Sequence, residues 1–345
     1  VVRPSSTSSR TRLSPAWATT SWPAHAVTPV VSRPALTTNS AAKIVVQQRG
    51  AALAQTLNRY ASQLDDIATS TRFGLPILLD DANRLGAEIA TLNRQIVVAE
   101  SGGKSANDLR DSRDRLIDQL GTIVPVTVFD RADGSDQVNF GGMPLVDGTD
   151  AKLLTLAAGS PLGVTLGGSS TPLRNLGGKL GAMIDVVNAD IPDAKAGLDA
   201  IASALITDVN ALHATGWSPP SGGAGILFFD PAAANADARH IRLSSEVAAD
   251  PTAIAAGTAL NAPGDNTLAL AIAALRDASP SAPSGSLGAA YRALVSSVAS
   301  AKNTADDSAT AYQVIVQQAE QRRASASGVS TDEELIALMR HQQAY

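Results

Sequence analysis

The residues best suited to chemistry in this sequence are few, and they lack the partners that catalysis requires. Ser101-Gly-Gly-Lys104 matches the short Ser-x-x-Lys pattern of serine acylating enzymes, but it lies in a glycine-rich stretch and no second signature accompanies it. The four histidines are too far apart to form a metal-binding motif, and cysteine is absent. The lack of cysteine excludes disulfides, thiol catalysis and cysteine-bound zinc. We therefore predict no enzyme: no catalytic residue, no metal site and no cofactor.

Two further groups of polar residues have structural interpretations. One is a run of carboxylates at Asp108, Asp111, Asp114 and Asp118, interleaved with Arg110, Arg113 and Arg115. Opposite charges three or four residues apart stabilise a helix surface, so we predict a salt-bridged face in solvent rather than a metal or acid–base site. His213 stands near the end of a predicted helix, and we interpret it as a capping residue rather than a base.

The chain that must position these side chains has 345 residues, enough for two or three folded units. Hydrophobic residues make up 44% and aromatic residues only 3%, so the core must consist of Ala, Leu, Ile and Val, which suits long helices packed side by side. No apolar run approaches the roughly 18 residues of a membrane span, and no secretory signal peptide is recognisable. The composition also argues against a nucleic-acid binder.

Charge is distributed unevenly along the chain. Residues 1–64 contain seven Lys or Arg and no Asp or Glu, whereas the other 281 residues contain 20 basic and 32 acidic side chains. Residues 1–42 are rich in Ser, Thr, Pro and Arg and show no periodicity, which is typical of disorder. A transit peptide or a misassembled stretch are the alternatives. We place these residues outside the fold and expect them to be dispensable for folding.

Seven-residue repeats indicate long helices. Apolar residues advance by alternating steps of four and three from Val46 to Ile67 and again from Leu78 to Ala99, as in helices that bury a narrow seam. Gly74 and Pro76 predict a break between these two helices. Ser105-Ala-Asn-Asp108 then predicts a capping box at the start of another helix.

Two more helices are predicted in the second half of the chain. One runs through residues 180–205, with a kink at Pro192, and the longest covers residues 286–323. We expect the seams of residues 46–69 and 286–323 to pack against each other within one chain. An intermolecular coiled coil is the alternative.

Between these helices the period switches to two, which is typical of strands. Short strands are predicted at residues 124–129, 137–140 and 143–146, with weaker signals at 164–166, 226–229 and 240–243. Asp133-Gly134 and Gly141-Gly142 form the turns between the first three.

The predicted fold class is mainly α with a β-rich insert: an elongated, coiled-coil-like helical bundle built from both chain ends, plus a small β module. The predicted organisation is 43–121 for the amino-terminal helices of the rod-like domain, 122–175 for the β module, 176–215 for a long helix, 216–285 for Gly-, Pro- and Ala-rich loops with short strands and a helix, 286–327 for the carboxyl-terminal helix of the rod-like domain, and 328–345 for the start of a terminal axial helix.

Three stretches resemble the hook-associated protein 1 (FlgK) family, which joins the bacterial flagellar hook to the filament. They are Ala106-Asn-Asp-Leu-Arg-Asp-Ser-Arg-Asp114, Val209-Asn-Ala-Leu-His213 with the later Phe228-Phe229, and Ser327-Gly-Val-Ser-Thr-Asp-Glu-Glu334 leading to Gln342-Gln-Ala-Tyr345. They occur in the family's order over residues 43–345. The third stretch is the most specific, because hook and rod proteins are similar to this family mainly in the Gln-x-Ala-Tyr ending.

The resemblance implies a structural component of the flagellum, exported by the flagellar type III apparatus and polymerised outside the cell on the hook tip. It also implies partners: the hook protein, the second hook–filament junction protein, an export chaperone, and copies of itself in a ring. The composition and the lack of a long apolar run predict neither nucleic-acid binding nor membrane insertion. A hook or rod protein, or a non-flagellar coiled-coil surface protein, is the alternative.

The predicted partner-binding residues lie at the end of the chain. Ser330 to Glu333 form a capping box, after which Leu335, Leu338, Met339, Gln342 and Tyr345 carry the contacts to the chaperone or the axial neighbours. A helix of this length is marginal in isolation, so we expect it to become ordered on binding a partner. A short helix folded back on the main body is the alternative.

Overall fold

The computed structural model describes residues 40–327, apart from residues 104, 175, 219–223, 233–235, 260–261 and 263, together with residues 339, 340 and 342. The helices are α1 (Ser40–Glu100), α2 (Asn107–Ile123), α3 (Gly178–Asp185), α4 (Ile191–His213), α5 (Ser245–Ala249), α6 (Thr267–Ala274) and α7 (Leu287–Ser327). The strands are β1 (Val126–Asp130), β2 (Asp136–Phe140), β3 (Met143–Asp147), β4 (Asp150–Ala151), β5 (Leu154–Ala157) and β6 (Gly163–Leu166). The predicted fold class, mainly α with a β-rich insert, is confirmed.

The described residues fall into two compact units. The first, here called the β-bearing unit, contains residues 73–184 and 303–327; the second, here called the helical unit, contains residues 40–72 and 185–302. Helices α1 and α7 each contribute one part to either unit. The domain boundaries drawn from the sequence stay predictions.

Helix α1 is continuous through Gly74 and Pro76, so the predicted break there is wrong. Proline inside a helix removes one backbone hydrogen bond and costs about 3 kcal/mol, but burial of the neighbouring leucines offsets this cost. Leu75, Leu78 and Leu79 are all buried in the core of the β-bearing unit. Gly74 permits close packing, because a Cβ atom there would lie 2.9 Å from the Met183 Cε of α3.

The β module consists of a four-stranded antiparallel sheet in the order β1-β2-β3-β4 and a separate β5-β6 hairpin. The three leading strands and both glycine turns were predicted, and Gly134, Gly141 and Gly142 all have positive φ, as such turns require. Strands β4 and β5 were not predicted. Asn83 of α1 holds β5 in place by donating to the Leu154 carbonyl and accepting from the Leu154 N–H, at 2.9 and 2.7 Å.

The core of the β-bearing unit lies between the second part of α1, helix α2 and one face of the sheet. Alternation along the strands decides which face is buried: Val126 and Val128 of β1 point inward, whereas Phe129 is 47% exposed. Val138 and Phe140 of β2 continue the same inner face.

The core of the helical unit is formed by the first part of α1, helix α4 and the start of α7. Leu57, Leu198 and Leu294 belong to one buried cluster. The predicted packing of the 46–69 seam against the 286–323 seam is therefore present around Leu57 and Leu294. Helices α4 and α7 approach closely because residue 197 is glycine; a Cβ atom there would lie 2.8 Å from Leu294 Cδ1.

The seam of α7 is not buried throughout. Residues 301–314 are exposed to solvent, so the expectation that all of 286–323 packs against 46–69 is wrong for this part. The side chain of Ile315 lies outside the described residues.

The helix predicted over 176–215 is interrupted just before Pro192. Residues 186–190 form a π-helical turn in which the Ile191 N–H donates to the Val186 carbonyl, five residues back. Since proline has no N–H, the regular ladder cannot continue through residue 192, and the irregularity lies where this donor is missing. The strands predicted at 226–229 and 240–243 are reduced to a single bridge between Phe229 and Leu243.

Candidate functional site

Most of the residues predicted to bind partners lie outside the described part of the chain. Leu335, Leu338 and Tyr345 are among these. Met339 and Gln342 are described; both are helical and exposed, Met339 at 48%. Of the three stretches that carry the family resemblance, the first two are almost wholly described, and both turn out to contain buried polar residues.

The first stretch contains a buried arginine. Arg113 of α2 is 2% exposed; its Nε lies 2.9 Å from Asp136 Oδ2 of β2, and its Nη1 donates to the Gly134 carbonyl at 2.9 Å. The prediction of a salt-bridged face in solvent is therefore wrong for Arg113. A buried guanidinium requires an ionic partner and satisfied hydrogen bonds, and the β1–β2 hairpin supplies both.

Asn93 completes this polar centre from α1. Its side chain is 0% exposed, donates to the carbonyls of Asp136 and Gly148, at 2.8 and 2.7 Å, and accepts from the Asp136 N–H at 3.0 Å. The centre thus ties α1, α2 and the sheet together. The contacts of Arg113 and Asn93 named above are all made within the fold, which indicates a role in packing.

The start of α2 is also held by tertiary contacts, and the predicted capping box is wrong. Ala106 occupies the cap position without a side-chain bond, and its N–H donates to Glu100 Oε1 at 2.9 Å. Glu100 also accepts two hydrogen bonds from Arg110, at 2.8 and 2.6 Å. These bonds, led by those from Arg110, lower the pKa of Glu100 to about 2.

The second stretch contains two buried polar residues at the end of α4. Asn210 accepts from the N–H groups of Phe228 and Phe229, at 3.0 and 2.8 Å, and donates to the Phe229 carbonyl at 2.9 Å. The Asn210 side chain thus makes the backbone hydrogen bonds that a neighbouring strand would otherwise make. This explains why residues 226–229 are not paired as a regular strand.

His213 is a core residue and not the helix cap that we predicted. It is 1% exposed, its Nδ1 lies 2.8 Å from the Ile226 carbonyl, and its Nε2 accepts from the Ala255 N–H at 3.0 Å. This pairing requires the neutral ring with its proton on Nδ1. Burial lowers the pKa of His213, and the charge of Lys43 adds to the effect, so the ring is held neutral.

One exposed feature suited to assembly is a stripe on α7. Ala301, Ala305, Ser308 and Tyr312 continue the four-three stepping and are all exposed, Tyr312 at 69%. Small residues and one aromatic ring along one side of a long helix favour close packing against another helix. We call these four residues the α7 stripe.

The helical unit also contains a cavity of about 140 Å³ between α1, the start of α4 and α7. Its apolar walls include Leu64, Leu198, Leu294 and Val298, and Asp190 and Asp193 stand at one side. Burial, together with the charges of Asp185 and Asp193, raises the pKa of Asp190. We call this cavity the acidic groove.

Within the described ranges, no three His, Asp or Glu side chains come together in an arrangement suited to a metal ion. None of the described helices is long and apolar enough to cross a membrane.

The described residues form a helical bundle with an inserted antiparallel module, and the buried charged and amide groups take part in packing contacts. A family model described as the flagellar hook-associated protein FlgK helical domain matches residues 26–229, more than half of the chain. The chain therefore belongs to the FlgK family. The match begins inside the segment 1–42 that the sequence pattern placed outside the fold.

Several curated proteins named flagellar hook-associated protein 1 are similar to this chain. The protein of Bacillus subtilis (strain 168) is 34% identical over 92 residues, which are 27% of this chain and 18% of that protein. That of Escherichia coli (strain K12) is 29% identical over 164 residues, 44% of this chain and 30% of that protein. That of Salmonella typhimurium (strain LT2) is 31% identical over 160 residues, 43% and 29% respectively. The chain spans less than a third of the length of these relatives.

A solved structure, the flagellar hook junction protein FlgK from Burkholderia pseudomallei, is also similar. It is 27% identical, with a TM-score of 0.48, over 56% of this chain and 37% of that one.

Proposed function

We propose that this chain is part of a structural adaptor at the junction between the hook and the filament of the bacterial flagellum. In this proposal the protein is exported through the flagellar type III apparatus and polymerises on the hook tip outside the cell. Membership of the FlgK family supports the flagellar role. The observation that carries the assembly role is the exposed α7 stripe.

The α7 stripe supports assembly because it has the pattern of a buried seam and lies in solvent. The same stepping is buried earlier in α7, where Leu294 is 8% exposed. From Ala301 to Tyr312 the pattern continues, and Ala305, Ser308 and Tyr312 have no cover within the part of the chain that the structure describes. An apolar seam on a long exposed helix is typical of a surface that a partner covers.

The proposed partners are the hook protein, the second junction protein, an export chaperone, and further copies of the chain in a ring. The residues proposed to contact the chaperone or the axial neighbours are Leu335, Leu338, Met339, Gln342 and Tyr345. The exposure of Met339 and Gln342 is compatible with this role. The buried polar centres support a structural protein without enzymatic activity, since their hydrogen bonds are used within the fold.

The test uses bacteria whose own hook-associated protein 1 is deleted and replaced by the protein that contains this chain. The introduced protein with its wild-type sequence should restore filaments on the hooks. Ala305→Asp with Tyr312→Asp should abolish filament retention, because two charges would enter the seam, while the free energy of unfolding of the purified protein changes by only about 0.5 kcal/mol per site. Filaments are counted by electron microscopy, and swimming is measured in soft agar.

The matched control adds the same two charges to another face of α7, through Asn303→Asp and Thr310→Asp. Both positions are exposed and lie off the stripe. Filaments should persist with the control and disappear with the stripe variant. Failure of the wild-type protein to restore filaments would reject the junction role, and equal behaviour of the two variants would reject the stripe as the assembly surface.

A further inference from the structure

Among the described residues, the two carboxylates of the acidic groove have no basic partner. No salt bridge to Asp190 or Asp193 occurs among the described residues, and the groups that act on the pKa of Asp190 besides burial are two other carboxylates, Asp185 and Asp193. Lys195 lies nearby in sequence but pairs with Asp65. Aliphatic walls beside two unpaired carboxylates form a site for a ligand that is apolar and cationic at once.

The same unit carries a surface with the complementary character. Near its start, α1 exposes Ile44, Val45, Arg49 and Leu53; the three apolar residues are 40%, 52% and 40% exposed. Val45, Arg49 and Leu53 are spaced by four and therefore follow one row along the helix. No salt bridge to Arg49 occurs within the described ranges. We call these four residues the basic stripe.

The two surfaces also agree in length. The row from Val45 to Leu53 spans eight residues, which is about 12 Å along a helix. The α7 wall of the acidic groove runs from Leu294 to Ala301, which is about 10 Å. The basic stripe thus presents one cation, Arg49, between aliphatic side chains. The acidic groove is about as long, roughly two helical turns, and has carboxylates at its side.

A chain cannot satisfy its own groove with this stripe. Tyr60 and Leu64, which line the groove, belong to the same continuous helix as Leu53. Since a helix is rigid over this distance, the stripe stays displaced along α1 from the groove of its own chain. A second copy of the chain, in contrast, can present its stripe to this groove.

We propose that the acidic groove of one copy of this chain binds the basic stripe of a second copy. The contact is heterologous, because each copy contributes a different surface, and contacts of this kind build rings or helical arrays rather than closed dimers. The inference rests on the proposed self-assembly of the chain and names its two surfaces. Salt should weaken the contact, because it depends on exposed charges.

Charge reversal on both sides tests the contact with the full chain. Asp190→Lys with Asp193→Lys makes the groove basic, and Arg49→Glu makes the stripe acidic. Each variant alone should self-associate about tenfold more weakly than wild type in sedimentation velocity at low salt, because its groove and stripe carry the same sign. A mixture of the two variants should regain association, since each groove then meets a stripe of opposite sign.

The matched control is Asp80→Lys with Asp111→Lys, which makes the same change in net charge at exposed positions of the β-bearing unit. It should associate like wild type. Circular dichroism verifies that every variant is folded. If the mixture associates no better than its components, the proposed contact is wrong, whether or not the wild-type protein restores filaments in cells.

Cross-linking provides a second measurement, because the chain contains no cysteine. Leu53→Cys in one preparation and Ser297→Cys in another should form a disulfide-linked heterodimer when they are mixed and oxidised. Val98→Cys, which is exposed in the wild type at 69% but lies outside both surfaces, should not link to Ser297→Cys. A predominant link of Leu53→Cys with itself would overturn the heterologous contact, because it would place like surfaces together.

Discussion

Arg113 Nε lies 2.9 Å from Asp136 Oδ2, and the two side chains are only 3% and 1% exposed. The pair joins α2 to the sheet in the middle of the β-bearing unit. Removing one member of a buried ion pair leaves the other charge without compensation, which is more costly than the net stabilisation that the intact pair provides.

Arg113→Leu should therefore destabilise the protein by about 3–5 kcal/mol, because the Asp136 carboxylate would remain buried. The double change Arg113→Leu with Asp136→Leu should cost less than the sum of the two single changes, since no charge would then be left unpaired. Urea denaturation followed by circular dichroism measures these differences. Arg115→Leu, on the exposed face of α2, is the control and should change stability by no more than about 0.5 kcal/mol. Additive single effects would contradict the coupling.

The second prediction concerns His213 and pH. Its pKa is lowered in the folded state, so as pH falls below about 6.5 the unfolded chain takes up a proton that the folded chain does not. Stability is thus complete above the unfolded pKa and is lost with falling pH until the folded pKa is reached, by up to about 1.4 kcal/mol per pH unit. In the neutral ring, Nε2 accepts a hydrogen bond from the Ala255 N–H. Protonation of Nε2 would remove this bond and place two N–H groups against each other.

His213→Gln should make stability less dependent on pH between about 6.5 and 5, because the uncharged amide does not titrate there. Val209→Ala serves as the control: it should destabilise the same core by about 1–3 kcal/mol but keep the wild-type pH dependence. Denaturation midpoints at a series of pH values distinguish the two. A pH dependence that is the same in His213→Gln and wild type would show that His213 is not the responsible group.

The main elements could be predicted from the sequence because burial imposes a period on it. The stepping of α1 and of the first part of α7, and the alternation of β1 to β3, are consequences of which side chains face the core. The continuity of α1 through Pro76 could not be predicted, because the helix is maintained by contacts of Leu75 and Leu79 with residues distant in the sequence. The local sequence reveals the hydrogen bond that proline removes from the helix, but not the burial of side chains that offsets this loss.

The polar residues were the least predictable part of the candidate site. Arg113 has the same local charge pattern as its solvent-exposed neighbours, and only its distance to Asp136 distinguishes it. Asp190 and Asp193 were not singled out, because the acidic groove is formed by three segments that are far apart in the chain. The family resemblance did mark the stretches that contain Arg113 and Asn210, although it did not reveal that these side chains are buried.

The third prediction follows from Pro76. Pro76 is exposed, and the backbone on both sides of it is helical. Proline therefore leaves one backbone hydrogen bond of the helix unmade, and its exposed ring has no visible packing role. Pro76→Ala should stabilise the protein by about 1–3 kcal/mol, because alanine restores the N–H and the helix propensity. Thermal unfolding measures the change. Ile77→Ala, at the next exposed position of α1, should have an effect near zero, and a destabilising effect of Pro76→Ala would contradict the prediction.

The last prediction concerns the close approach of α4 and α7. A Cβ atom at residue 197 would lie 2.8 Å from Leu294 Cδ1, so Gly197→Ala should displace the buried Leu294 side chain. In an exposed helix the same change would stabilise by up to about 1 kcal/mol through helix propensity. Here we expect a net loss of stability of about 1–3 kcal/mol, because overpacking a core displaces side chains.

Gly197→Ala should cost less in a Leu294→Ala background, since the shortened side chain makes room for the new methyl group. Gly86→Ala provides the comparison, because its nearest neighbour would be 3.7 Å away and the space is sufficient. A stabilising effect of Gly197→Ala comparable to that of Gly86→Ala would mean that α4 and α7 are not in close contact at this position.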